Sequence, residues 1–219
     1  MLIARQARST VWLVVGACVL LTVLLITAYP AAHIRRHVDR PIDAWLHDAL
    51  AGQHTLLRAV TGLGALPGVL VECAVIIALC VIGHRWRAVA LTVLGPGIAV
   101  VLTEWAIKPV VADLVASYLV FPSGHAAAIS SVGTVAAVVL LGPSRPAWPA
   151  WARRGIVALL ALATAAVSVA VVGLAWHLAT DTVGGVCVGV ATVLVVARLL
   201  DALGASSVAT GEPARSGVG

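Results

Sequence analysis

The sequence predicts an all-α, polytopic membrane protein: a six-transmembrane helix bundle with a short amphipathic interfacial helix in its first outer loop. Three observations predict it. Of the 219 residues, 61% are hydrophobic and 11% charged, with a mean hydropathy of +1.07, far outside the soluble mix. Apolar runs of about 20 residues, the length that crosses a bilayer core as a helix, recur along the chain. The arginines stand at the ends of those runs and account for the net charge of +5 and the pI near 9.6 without a nucleic-acid partner.

The first run is Val11 to Tyr29. It is longer than the apolar region of a signal peptide, and its AYPAAH end only loosely matches a cleavage site, so it reads as a helix. The outer segment from Pro30 to Gly64 follows, with Val38, Ile42, Trp45, Leu46, Ala49 and Leu50 at helical spacing. Asp39, Arg40, Asp43, His47 and Asp48 fill the other face, the pattern of a helix lying in the interface with Trp45 at headgroup depth. Such a helix is either a plain surface element or a lid over a membrane-embedded substrate.

Ala65 to Gly83 is the second span and contains Glu72, an ionisable group that is costly in lipid and is either functional, protonated or close to the interface. In the third span, Ala88 to Ile107, Pro96 between Gly95 and Gly97 is expected to kink or loosen the helix. Gly124 to Gly142, Gly155 to Trp176 and Thr182 to Leu200 complete the six, the last carrying Gly184, Gly185 and Gly189 for close helix contacts. Residues 1–203 therefore read as a single domain, and the Gly-, Ala- and Ser-rich residues 204–219 as a disordered tail. Cys18, Cys73, Cys80 and Cys187 all fall inside spans without metal-type spacing and read as small hydrophobes.

Six crossings place both termini on one side. Nine arginines (Arg5, Arg8, Arg85, Arg87, Arg145, Arg153, Arg154, Arg198 and Arg215) lie on that side, against five basic residues opposite (Arg35, Arg36, Arg40, Arg58 and Lys108). The positive-inside rule then predicts cytoplasmic termini, in the cell membrane, with the intervening loops facing outward.

Three stretches meet on the outer side. In FPSGH, Pro122 and Ser123 are helix-start residues and Gly124 leaves backbone donors uncovered, which makes either a simple capped helix or an anion-binding terminus. In AWHLATD, His177 and Asp181 stand four apart, so that the carboxylate can fix the imidazole tautomer and stabilise its charged form. In LTEWAIK, Lys108 is the protein's single lysine, with Glu104 one turn before it; the plain reading is a snorkelling cation and its ion-pair partner.

The order Lys108, then Pro122-Ser123-Gly124-His125, then His177-x-x-x-Asp181 resembles the type 2 phosphatidic acid phosphatase superfamily, and the likeness extends over nearly the whole chain. The resemblance implies hydrolysis of a membrane lipid phosphate or a polyprenyl diphosphate, without metal or other cofactor, through a phosphohistidine. His177 would be the nucleophile, Asp181 its orienter and His125 the acid that protonates the leaving oxygen. Lys108, Ser123 and the Gly124 amide would hold phosphoryl oxygens. The chemistry asks for these residue types in its own right: an imidazole to attack phosphorus, an acid near neutral pKa, and positive charge where oxygens gather charge.

The sequence departs from the family's pattern at its arginines. After Lys108, Asp113 and Val115 stand where arginines would fall, and Ala170 and Val171 replace the Ser-Arg pair ahead of the nucleophile. Such arginines supply bidentate charge-assisted hydrogen bonds, each worth roughly 1.5 to 3 kcal/mol, so the loss bears directly on rate. Three readings follow: an active lipid phosphatase, a catalytically impaired protein that binds a lipid phosphate or a membrane partner, and a metal-assisted hydrolase using His125, His177, Asp181 and Asp113.

Overall fold

The computed structural model describes residues 1–28, 35–115, 121–143 and 145–209, with the side chains of 28, 35, 36, 112–115 and 205–209 left out. Among the described residues every regular element is a helix. They are α1 (Arg8–Ala28), α2 (Arg40–Ala49), α3 (His54–Thr61), α4 (Leu66–Ile82), α5 (Trp86–Val101), α6 (Lys108–Val115), α7 (Gly124–Leu141), α8 (Ala150–Gly173) and α9 (Ala179–Ala209). Five of the helical stretches are long and apolar enough to span a membrane. A sixth crossing is made by α3 and the 17-residue α4 taken as one span with a bend of 45° between them.

The helix boundaries have local causes. Pro67 in the first turn of α4 is tolerated because the amides there lack intrahelical acceptors in any case, and Pro41 of α2 follows directly on π-helical turns over Arg35–Asp39. Over Leu102–Ile107 the chain widens into π-helical turns before resuming as α6, so Lys108 does not end the third span but lies within one continuous rod. Pro96 stays inside α5, where neighbouring Gly95 lets α7 and α9 approach: a Cβ there would lie 3.1 Å from Val193 and 3.6 Å from Val135.

Two boundaries differ from the sequence expectation. α8 begins at Ala150, ahead of its apolar run, because an interfacial helix end tolerates Trp151, Arg153 and Arg154 with their heads toward water. α9 continues through residues 204–209, assigned above to the disordered tail; one glycine followed by small helix-compatible residues does not stop a helix already 25 residues long at Leu203. Residues 210–219 lie outside the described residues.

α7 and α9 form the centre of the bundle. Of the apolar window of α7, 61% is buried within the protein, against 11% for α1 at the rim. Since lipid is as apolar as a leucine core, close packing must hold these helices together, and the glycines supply it. A side chain at Gly185 or Gly189 would collide with the α7 backbone at Ser123 or Ala127, and one at Gly184 with the Phe121 ring.

The first residues of the chain meet α9 at one end of the bundle. Asp201, near the end of α9, accepts from the Leu2 and Ile3 amides at 2.7 and 2.9 Å, with Arg87 Nη1 3.9 Å away. Arg85 donates to the Val139 carbonyl at 2.7 Å, placing the α4–α5 and α7–α8 turns at that same end. All seven tryptophans are exposed: Trp12, Trp86, Trp148 and Trp151 toward the end where Asp201 lies, and Trp45, Trp105 and Trp176 toward the opposite end. That is the distribution of two interfacial aromatic belts.

Candidate functional site

The end opposite the termini gathers the residues singled out in the sequence. Ser123 is extended, caps α7 with its hydroxyl accepting from Ala126 at 3.4 Å, and donates its amide to the Asp181 carbonyl at 2.9 Å. The FPSGH stretch is thereby hydrogen-bonded to AWHLATD. Ser123 is fully buried, so its hydroxyl serves the helix cap. The amides of Gly124 and His125 make no hydrogen bond among the described residues and remain as donors at the positive end of an 18-residue helix.

Lys108 reaches this terminus, but not alone. Its ammonium is held by both carboxylate oxygens of Glu104, at 2.7 and 2.9 Å, the ion pair expected from the sequence. Glu104 also crowds Gly124 so closely that a Cβ there would collide with Oε1, while the Lys108 ammonium lies 3.8 Å from the same point. This place requires glycine because a carboxylate leans against it. Glu104 therefore occupies the ground between a cation and a helix N-terminus where an anion would sit.

His177 lies in the tight turn between α8 and α9. Two residues past the end of α8, Ala175 stands at φ 56, a left-handed conformation that costs an L-residue roughly 1 to 2 kcal/mol. The Val171 carbonyl closes the turn by accepting from Trp176 at 3.0 Å and His177 at 3.3 Å. The turn brings His177 Nδ1 to 3.6 Å from Asp181 Oδ2, an ion-pairing distance just outside hydrogen-bond reach. Nε2 is left as the outward nitrogen. Trp176 in turn packs against His125, ring centroids 5.8 Å apart at 47°. His125 lies within electrostatic range of His177, Lys108 and Glu104.

The first turn of α9 is capped by three carboxylates. The Leu178 amide donates to Asp181 Oδ2 at 2.9 Å, the Ala179 amide to Asp43 Oδ1 at 3.2 Å, and the Thr180 amide to Asp39 Oδ1 at 3.0 Å. Thr180 Oγ1 adds a second bond to Asp39, also 3.0 Å. Nearby, His47 Nδ1 lies 3.2 Å from the Gly173 carbonyl at the end of α8. The interfacial helix α2 thus clamps both sides of the turn that carries His177. Its polar face points inward at the site, while Val38, Ile42 and Trp45 face outward. The Asp43 carboxyl is pushed up to about 6, chiefly by burial; its bond from Ala179 lowers it, and the charges of Asp39 and Asp181 raise it further.

The sequence reading assigned Asp39, Asp43 and His47 only to a polar helix face. Their i, i+4, i+8 spacing was the available signal, since it puts all three side chains on one stripe. The places where the resembled family carries its third-motif pair are core here: Ala170 and Val171 are buried, Val171 in a cluster with Ile129 and Val167. Arg40 is exposed; the side chains of Arg35, Arg36, Asp113 and Val115 lie outside the described residues. Glu72 sits within α4 with one carboxyl oxygen buried and unbonded. Among the described residues no three of His, Cys, Asp and Glu gather as a metal site would require.

Comparison with known proteins finds no match: no family model, no curated protein and no solved structure is significantly similar to the chain.

Proposed function

We propose that the chain is a membrane lipid phosphatase, acting on a lipid phosphate monoester or a polyprenyl diphosphate at the end of the bundle opposite its termini. The observation that carries this reading is the convergence of three separate segments there: Lys108, Ser123-Gly124-His125 and the stretch from His177 to Asp181, with Ser123 and Asp181 joined at 2.9 Å. With cytoplasmic termini in the cell membrane, that end faces outward.

The reaction runs in two displacements. With Nδ1 turned to Asp181, His177 Nε2 attacks phosphorus; a P–N bond forms, the P–O bond to the lipid breaks, and protonated His125 gives its proton to the departing oxygen. Water then attacks the phosphohistidine, losing a proton to His125, and inorganic phosphate leaves as the P–N bond breaks. Phosphoryl oxygens are held by the Gly124 and His125 amides and by Lys108, which must exchange Glu104 for substrate.

Two observations favour a second reading, a catalytically impaired protein that binds lipid phosphate without turning it over. Glu104 neutralises Lys108, and Val171 belongs to the core instead of supplying a guanidinium. The metal-assisted alternative depends on Asp113, whose side chain lies outside the described residues. Phosphate release by purified protein, against phosphatidate, phosphatidylglycerol phosphate and a polyprenyl diphosphate, separates the three. Release in chelator supports the phosphatase, release only after adding divalent cations supports the metal-assisted reading, and binding without release supports the second.

A further inference from the structure

At the other end of the bundle, a cavity of about 330 Å³ opens between the end of α7 and the start of α8, lined by Leu141, Arg145, Ala150, Arg153 and Arg154. Three guanidiniums surround one hollow with no carboxylate in its lining. From Leu114 to Thr180 the sequence contains no acidic residue, so no local carboxylate neutralises them. Nor do any of the three form an ion pair among the described residues. Arg153 is held in place by a bond from Nη1 to the Pro146 carbonyl at 3.1 Å, while its Nε is buried without a partner. The same hollow receives the N-terminus of the 24-residue α8, whose cap residue Pro149 offers no side-chain acceptor.

Snorkelling arginines at a membrane surface ordinarily splay into water. Here one held guanidinium, two further arginines, an uncapped helix terminus and the apolar side chains of Leu141 and Ala150 share one concavity. Trp148 and Trp151, close in the chain to the lining residue Ala150, are exposed at the depth of the aromatic belt. We infer that this cavity binds the phosphodiester headgroup of an anionic lipid in the leaflet on the side of the chain termini. The guanidiniums and the first amides of α8 take the phosphate oxygens, and Leu141 with the tryptophans meets the glycerol and upper acyl chain. This site is independent of the proposed phosphatase centre, which lies across the membrane.

The test uses the full chain in nanodiscs, which expose both leaflets, with labelled phosphatidylglycerol competing against phosphatidylcholine. The natural protein is expected to prefer phosphatidylglycerol. Arg145→Gln, Arg153→Gln and Arg154→Gln together should reduce that preference roughly a hundredfold, about fivefold for each arginine. If the triple variant fails to fold, the exposed Arg154→Gln alone should still give the fivefold loss. A preference unchanged in either variant overturns the site. Inorganic phosphate added at the lipid's own concentration should not displace it. Displacement at that concentration would show the ligand to be a soluble phosphate and overturn the lipid assignment.

Discussion

Replacing Asp39 with alanine should loosen the turn that carries His177. Asp39 is buried at 1% exposure and accepts two bonds of 3.0 Å, from the amide and hydroxyl of Thr180. Hydrogen bonds to a charged group contribute roughly 1.5 to 3 kcal/mol each, and the cost of keeping a buried carboxylate dehydrated offsets part of that. A net local loss of about 2 to 4 kcal/mol follows, or roughly 30- to 1,000-fold in the opening equilibrium of the first turn of α9. Hydrogen–deuterium exchange of peptides covering Leu178 to Thr182 reads this directly. Asp39→Asn, which keeps one acceptor oxygen, should give a smaller acceleration. The end of α9 around Asp201 should exchange as before, since it is held separately by the Leu2 and Ile3 amides. Exchange at Leu178 to Thr182 that stays within threefold of the natural protein would refute the idea that α2 holds this turn.

Three further outcomes are expected. Glu104→Gln removes the carboxylate competing for Lys108; because that side chain is 38% exposed the gain is small, about fivefold tighter binding of lipid phosphate, and weaker binding would contradict the competition. Asp43 has a folded-state pKa near 6 against 3.8 when unfolded, so the native state binds the proton more tightly and gains stability as pH falls from about 6 to about 4. Thermal unfolding over that window should show the gain in the natural protein and a reduced gain in Asp43→Asn; an identical pH slope would remove the assignment. With the four native cysteines replaced, cysteines at exposed Gln53 and Ala147 should react with an impermeant reagent from opposite faces of a vesicle, whereas labelling from one face would contradict the three crossings that separate them.

Hydropathy made the six crossings legible because a bilayer demands long apolar runs whatever the tertiary packing, and the helices differ from those runs mainly at their ends. Gly184, Gly185 and Gly189 were readable as packing positions for a similar reason: small residues at helical spacing have few other uses in lipid. What stayed hidden depends on pairs distant in sequence. Nothing near Asp39 or Asp43 indicates that their partners are Thr180 and Ala179, more than 130 residues away, and an amphipathic helix with polar residues on one stripe reads the same whether that stripe meets water or protein. The Glu104–Lys108 pair was visible from its i, i+4 spacing, but its pressure on Gly124 required the third dimension. Likewise, the four-residue spacing brought His177 near Asp181, while the left-handed Ala175 that aims the turn carries no glycine to announce it.

The central claim is that His177 attacks phosphorus, and trapping the intermediate tests it most directly. Purified protein given a lipid substrate labelled at the terminal phosphate and quenched in alkali, where phosphohistidine survives, should carry label on the peptide containing His177. His125→Ala should accumulate that label, because the water step loses its base, and His177→Ala should show neither label nor phosphate release while remaining folded. Label on another residue, or phosphate release undiminished in His177→Ala, would contradict the account.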